Sequence, residues 1–330
     1  MQEILPNKSL LRRLHATYYG SDAAPGERGA SSHWRHFAGL FDVEVDADGT
    51  PTHIQGVGFG HDRWGNLVHR FLDQLCALGH LLNLPDRKAM LRWWRKVARL
   101  CRSMGLDPTF DSAFRQVCLL VKLQRYIGTQ IRGDSPTVLV IGDGYGVFSS
   151  LFKTRYPEAT IVLVDLGKTL FFQAFYCQKA HPQRIHTFAP DCVEGERKDF
   201  IYCPADALDA LDGFRFDLAI NVCSMQEMDY EVIQKYFSLM RRTLRAENLF
   251  YCCNRQSKIL PDGEVIKFAS YPWSEDDVIL EDGPCPWKQV VLFWGWPKKG
   301  LRFLGQCVPF ITFYDGPIVH RLAVMAADDG

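Results

Sequence analysis

Three glycines and a small set of carboxylates stand where they could do chemistry. In the stretch VLVIGDGYG, residues 138–146, four apolar residues run into a turn holding Gly142, Gly144 and Gly146, with an acid at Asp143. A buried parallel strand hands over to a ligand-wrapping loop in this way, and glycine lets the backbone come close to a ligand where a Cβ would collide. A second acid, Asp165, stands about 20 residues further on. At the end of a second strand it can accept both hydroxyls of a ribose through its two oxygens, or merely cap a helix. Leu166 follows it, and Pro204, Ala205 and Asp206 end a third strand, where the base of a nucleotide-like ligand would sit. Glu227, just past a fourth strand, is placed to act as a general base, because ligands bind beyond the carboxyl ends of strands in open α/β sheets. Ser224 to Glu227 also reads as a capping box for the next helix, and both readings stay open. His61 is the second candidate base, its imidazole being suited to neutral pH.

These residues need a frame that brings strand ends together. From residue 137 onward, apolar runs at 138–141, 160–164, 199–203, 216–222 and 249–253 alternate with helical patterns at 148–156, 168–180 and 225–245. That is the pattern of an α/β fold with a parallel sheet, here Rossmann-like. Two further apolar runs, 290–294 and 319–325, are expected to close it. The preceding part reads as a mostly helical extension, 1–133, packed on and partly covering the catalytic domain, 134–330. It holds a short helix at 10–19, an exposed loop at 20–32, a hairpin at 41–54 around an Asp-Gly turn, the glycine-rich GVGFG at 56–60, and helices at 64–78, 86–104 and 110–131. The arginines and lysines of 86–104 lie opposite its apolar face and read as a solvated surface.

Composition narrows the partners. The 330 residues carry 38 basic and 38 acidic side chains, so the electrostatic footprint of a nucleic-acid binder is missing and a small molecule or glycan fits better. The 11 cysteines include no C-x-x-C pair and read as buried thiols of a reducing compartment. No stretch approaches the roughly 18 apolar residues of a membrane span, so a cytoplasmic location is expected, with no membrane span. No His/Cys spacing supports zinc. Glu275, Asp276, Asp277, Glu281 and Asp282 offer oxygen ligands for magnesium or calcium but read as a solvated loop, and no metal is assigned.

Counting glycines separates cofactor classes. A dinucleotide fingerprint needs a glycine at the sixth position, which is Val147 here, and this counts against a nicotinamide-dependent oxidoreductase. The G-x-G-x-G form resembles the first motif of the class I S-adenosylmethionine-dependent methyltransferases. The Asp-Pro-Pro-Tyr type of sequence used by amino-methylating DNA enzymes is absent after the fourth strand. Instead NVCSMQEM at 221–228, CCNRQSK at 252–258 and YPW at 271–273 together resemble a bacterial family of sugar O-methyltransferases. The likeness spans roughly 138–273, with a looser echo in SSHWRHF and GVGFG.

That resemblance implies S-adenosylmethionine as cofactor and a sugar or glycan hydroxyl as methyl acceptor. It implies cofactor contacts from Gly142, Asp143, Gly144, Gly146, Asp165, Leu166, Pro204, Ala205, Asp206 and Asn221. The acceptor would meet Ser224, Gln226 and Asn254, with Tyr271 and Trp273 as stacking faces, although such aromatics also serve packing. Glu227, His61 and Arg255 are the expected catalytic set. A cofactor-binding subunit without turnover is the non-enzymatic alternative, and the oligomeric state is not specified by any feature of the sequence.

Overall fold

Strands buried on both faces decide where the centre of this protein lies. Val138, Leu139, Val140 and Ile141 are all buried, as are Ile161 to Val164, and only a strand covered by helices on both sides buries consecutive residues. The computed structural model describes residues 8–19, 30–37, 41–46, 50–55, 71–75, 77, 86–131, 133, 135–192, 198–292, 302–303, 305–307, 311–313 and 316–327. His61 and the glycine-rich stretch 56–60 lie outside them, as does most of the helix expected at 64–78.

The described chain opens with α1 (Lys8–Tyr18), α2 (Ser32–Phe37) and the antiparallel hairpin β1 (Asp42–Val45) and β2 (Pro51–Gln55). Next come α3 (Arg87–Met104) and a π-helical turn, Phe110–Phe114, that runs into α4 (Arg115–Leu123). The alternating region then gives β3 (Thr137–Ile141), α5 (Val147–Arg155), β4 (Thr160–Asp165), α6 (Gly167–Ala180), β5 (His186–Phe188), β6 (Phe200–Pro204), β7 (Phe216–Val222), α7 (Tyr230–Thr243) and β8 (Leu244–Arg255). A hairpin, β9 (Ser257–Ile259) and β10 (Val265–Lys267), precedes β11 (Val278–Pro284). Two small pairs, β12 (Val290–Leu292) with β15 (Ile311–Phe313) and β13 (Arg302–Phe303) with β14 (Gln306–Cys307), lie between it and β16 (Ile318–Val324).

The main sheet has the order β11-β16-β8-β7-β3-β4-β6-β5. From β5 to β8 neighbouring strands are parallel, and β16 runs antiparallel to both β8 and β11. This is a Rossmann-like, doubly wound α/β sheet. The chain leaves β3 toward β4 and later returns to β7 on the other side, so the crevice where strand order reverses opens at the carboxyl end of β3. Register brings the site together there: Ile141 is level with Val164 and Asn221, and Asp165 with Pro204.

Two apolar cores flank the sheet. One face packs on α1, α3, α4, α5 and α6, with Leu11, Leu14, Val97, Phe114, Phe171 and Phe172 in a single cluster. The N-terminal helices therefore share a core with the sheet. The other face packs on α7, with Phe237, Phe250, Tyr271 and Met325 among its cluster. The arginines and lysines of α3 are mostly exposed, because its apolar stripe of Met90, Trp93, Val97, Cys101 and Met104 takes the inner face.

Several expectations need correction. The run at 290–294 does not close the main sheet, since β12 pairs with β15 apart from it; β11 takes the outer place beside β16. The helix expected from 225 begins at Tyr230, because Met225–Glu227 forms a separate 3-10 turn. The acids 275–282 are not simply solvated. Asp277 is buried in a pairing with Arg241, Glu281 meets Lys122 and Tyr126, and Asp282 meets Arg321. Asp277 loses ionisation energy on burial but gains more from Arg241 and the amides of Ser274 and Ala326, so its carboxyl is held below the ordinary range. Among the described residues no helix is long and apolar enough to cross a membrane, and no group of three or more His, Cys, Asp or Glu could hold a metal ion.

Candidate functional site

A cavity of about 1030 Å³ opens over the crevice and is lined by Gly142, Asp143, Gly144, Asp165, Leu166, Ala205, Asp206, Ser224 and Glu227. Nine of the expected site residues thus share one space, although they come from four strand ends. The wall is completed by residues to which the sequence assigned no role: Ser31 just before α2, Trp34 within it, and Arg115 on α4.

The glycine loop is shaped mainly by what lies behind it. Gly142 has φ +75°, and a Cβ there would fall 2.2 Å from Ser224 Oγ. At Gly146, φ +73°, a Cβ would fall 2.5 Å from Cys177 Sγ. For these two positions the excluded contact is a protein side chain, so ligand approach is not needed to explain glycine. The carboxylate of Asp143 accepts the amides of Phe148 at 3.3 Å and Ser149 at 2.8 Å, covering the start of α5. Burial nevertheless raises its pKa to about 6 against those hydrogen bonds.

Asp165 is the central group. Its Oδ1 accepts the Leu166 amide at 2.8 Å and its Oδ2 accepts Gln173 Nε2 at 2.6 Å. A carboxylate has about four acceptor positions, so these bonds leave roughly two, one on each oxygen. Burial drives its pKa up to about 7; the Leu166 and Gln173 hydrogen bonds oppose this, while the charges of Asp143 and Glu227 add to it.

Three expected ligand contacts are instead a buried latch between strand ends. Asn221, Gln226 and Asn254 are 0%, 1% and 0% exposed. Asn221 Nδ2 donates to Ile141 O and to Ser224 Oγ, while its Oδ1 accepts Asn254 Nδ2. Asn254 Oδ1 accepts the Gln226 amide, and Gln226 Oε1 accepts the Arg255 amide. Their polar groups are spent on one another and on neighbouring protein groups, Gln226 Nε2 donating to Glu227 Oε1 at 3.5 Å, as burial requires, and none of the three lines the cavity. Pro204 and Arg255 do not line it either. Ser224 donates to Ile141 O and gives no side-chain cap, which removes the capping-box reading; Asp229 precedes α7 instead. Cys223, also on the cavity wall, holds φ 57°, an uncommon value for a residue with a side chain, and donates its amide to Cys253 O.

Tyr271 and Trp273 are placed on the far core. Trp273 stacks on Phe250 at 5.5 Å and meets Phe237 edge-on at 5.1 Å, with the Arg321 guanidinium 4.8 Å from its ring centroid. Truncating a packed Trp leaves a cavity, so Trp273→Ala is expected to cost about 3–5 kcal/mol of stability in denaturant unfolding. A solvent-facing sugar platform would show a much smaller loss.

Glu227 does face the cavity, and it is held from three sides. Lys258 Nζ lies 2.9 Å from Oε1, His33 Nε2 lies 3.5 Å from Oε2, and Ser31 Oγ donates to the Glu227 carbonyl. Burial opposes ionisation, but the His33 hydrogen bond and the Lys258 charge outweigh it and hold the carboxyl below its ordinary range. Arg115 was legible in principle: it stands in phase with Cys118 and Leu119 on the buried side of α4, where a cation is unexpected. Ser31 and Trp34 could be found only through the looser SSHWRHF echo.

No family model matches the chain, and no curated protein matches it. Among solved structures, it is similar to coclaurine N-methyltransferase bound to N-methylheliamine and S-adenosylhomocysteine, at 10% identity and TM-score 0.37 over 66% of this chain and 74% of that one. It is also similar to the N-methyltransferase NodS from Bradyrhizobium japonicum WM9, at 12% identity and TM-score 0.37 over 64% of this chain and 94% of that one. A third is the cyclopropane synthase MmaA2 from Mycobacterium tuberculosis, at 13% identity and TM-score 0.35 over 50% of this chain and 62% of that one.

Proposed function

We propose that this protein is an S-adenosylmethionine-dependent O-methyltransferase acting on a sugar or glycan hydroxyl. The observation that carries the cofactor is Asp165. A half-buried carboxyl with its pKa raised by desolvation to about 7 and two unused acceptor positions stands at the carboxyl end of β4, in one cavity with the glycine loop, Ala205 and Asp206. A ribose diol supplies the two donors that such a group lacks. Asp165 would hold the ribose, Leu166, Ala205, Asp206 and Leu208 would border the adenine, and the loop at Gly142 to Gly144 would lie along the methionine portion. When bound, the cofactor supplies an electrophilic methyl group on a sulfonium. The cavity, at about 1030 Å³, lies at the upper end of the roughly 300–1,000 Å³ range of small-molecule sites, and an acceptor would lie on the side bordered by Cys223 and Glu227.

The acceptor class rests on the sequence resemblance. Its stacking role passes from Trp273 to Trp34, which lines the cavity and comes from the N-terminal part that covers it. A sugar hydroxyl is a weak nucleophile, so the protein's tasks are to hold it in line with the methyl group and to take its proton; positioning can contribute on the order of 7–11 kcal/mol. Arg115, 4% exposed and lining the same cavity as Gly142 and Gly144, is suited to the cofactor's carboxylate. Replacing it with Gln is expected to weaken S-adenosylhomocysteine binding by about tenfold to a hundredfold, the usual 1.5–3 kcal/mol of a charged hydrogen bond. Affinity for 5′-methylthioadenosine, which lacks the amino-acid end, should not change; calorimetric titration of both ligands reads the difference.

The reading as a whole is tested with methyl-labelled S-adenosylmethionine and a panel of nucleotide sugars and surface glycans. Label is expected in a carbohydrate. Saturable cofactor binding without transfer to any carbohydrate would remove the acceptor class, and failure to bind the cofactor, with binding of a nicotinamide dinucleotide instead, would remove the reading altogether.

A further inference from the structure

One helix departs from the charge balance of the rest of the chain. The whole sequence carries 38 basic and 38 acidic side chains, yet α3, Arg87–Met104, holds seven cations and no acid. Lys88, Arg92, Arg95, Arg99 and Arg102 recur at the spacing that aligns them on one face, a stripe about 21 Å long at 1.5 Å per residue. All five are exposed, as is Arg87, while Lys96 lies 4.3 Å from the centroid of the Trp93 ring. Among the described residues none of the seven forms an ion pair, whereas exposed cations elsewhere do: Arg13 meets Asp191, Arg125 meets Asp86 and Arg242 meets Asp212.

Such a helix carries an electrostatic cost when nothing lies against it. Its cations repel one another at three- and four-residue spacing, and Arg87 and Lys88 oppose the helix dipole in a first turn that has no acid. An anionic surface laid along the stripe offsets both.

The basic face also offers apolar groups. Leu91 stands beside Arg92, three residues from Lys88, and is 39% exposed. Trp94 meets Phe114 edge-on at 5.4 Å, which joins α3 to the π-helical turn, and the Phe110 amide of that turn donates to Asp73 at 2.6 Å. Asp73 belongs to the helical stretch 71–75, whose Phe71 and Leu75, one turn apart, are 63% and 45% exposed. The phosphate backbone of a nucleic acid would answer the cations and leave these side chains in water. The headgroup layer of an anionic bilayer answers both, its phosphates meeting the cations and its acyl boundary the apolar groups. Val97 and Cys101 on the inner face of α3 are 0% exposed in the core, so the helix is suited to lying on such a surface and not to inserting into it.

We propose that α3 is a docking surface for an anionic lipid bilayer, adsorbed through its outward stripe of cations, with Leu91, Phe71 and Leu75 reaching the headgroup layer. This does not depend on the methyl-transfer reading.

Flotation of the full-length protein with unilamellar vesicles tests it. With equal parts of phosphatidylglycerol and phosphatidylcholine the protein is expected to float at low salt and to be released as salt rises and screens the surface charges. With phosphatidylcholine alone it should stay in the buffer. Combining Arg92→Gln, Arg95→Gln and Arg99→Gln should lower partitioning by about a hundredfold, at roughly fivefold for each cation near an anionic leaflet. Lys88→Gln with Arg102→Gln, at the two ends of the stripe, makes the same test should the triple variant fail to fold, with a loss of about twenty-five-fold. Leu91→Ser should cost about threefold to tenfold, the partial burial of one leucine. Arg215→Gln with Arg245→Gln, which removes exposed cations elsewhere, should leave partitioning unchanged. Absence of flotation, equal flotation on neutral and anionic vesicles, or flotation that survives the loss of the stripe cations in a folded variant overturns the proposal. Binding to a duplex DNA probe at the same salt that exceeds binding to the vesicles assigns the stripe to nucleic acid and overturns it as well.

Discussion

Replacing Asp165 with Ala is expected to weaken S-adenosylhomocysteine binding by about a hundredfold, measured by calorimetric titration at neutral pH. The magnitude follows from losing two hydrogen bonds from ribose hydroxyls to one charged acceptor, each of about 1.5–3 kcal/mol before the cost of ordering is subtracted. The pH dependence supplies a second reading of the same group. With its pKa raised to about 7 by burial, the Asp165 carboxyl is only partly ionised at neutral pH. For the fold alone the sign is that of an acid raised in the native state: its contribution is most favourable below the unfolded value, 3.8, and is lost as pH rises through about 7. For binding the sign reverses, because two donors favour the ionised form and lower the pKa in the complex. Affinity should therefore be full above about 7 and fall, by up to tenfold per pH unit, as pH drops below it. In Asp165→Ala the dependence around neutrality should flatten; an undiminished one would assign it to another group.

Gly142→Ala is expected to destabilise the fold rather than merely disturb binding. Its φ of +75° already disfavours a side chain, and the new Cβ would lie 2.2 Å from Ser224 Oγ and 2.4 Å from Ser224 Cβ. Left-handed strain of roughly 1–2 kcal/mol and overpacking of roughly 1–3 kcal/mol together give about 2–5 kcal/mol, read as a shift of the denaturant midpoint. Ser224 cannot simply turn away. Its hydroxyl is tied to Ile141 O and Asn221 Nδ2, so movement would also break the latch that joins β3, β7 and β8. Adding Ser224→Gly removes the clash but not the backbone strain or the lost hydrogen bonds, so the double variant should recover only part of the loss. Full stability in Gly142→Ala, with binding alone impaired, would return the glycine to a ligand-approach role.

These two residues mark how much of the site could be read directly. Asp165 was recognisable because a continuous apolar run marks a strand buried on both faces, and an acid that ends such a strand about 20 residues past a glycine loop stands at the sheet's carboxyl edge. The sheet itself was legible for the same reason: four consecutive buried residues in β3 and β4 can be satisfied only by helices on both faces. Where pattern and burial disagreed, the pattern misled. Tyr271, Trp273, Asn254 and Gln226 have side chains that suit a sugar, but the same chemistry suits an aromatic core and a buried hydrogen-bond latch, and composition does not tell an inward from an outward face. The same ambiguity made 290–294 look like a closing strand, since any short β-branched apolar run fits that description.

From the sequence by itself came the alternating α/β order, the loop at Gly142 to Gly146 and the place of Asp165, because local periodicity and turn chemistry depend on residues close together in the chain. Only the tertiary structure decided that Ser224 stands behind Gly142, that Arg115 reaches the same cavity, and that His33 and Lys258 flank Glu227. Those contacts join residues far apart in sequence, and their free energy depends on distances that only packing of the N-terminal helices and the β9–β10 hairpin against the sheet can set.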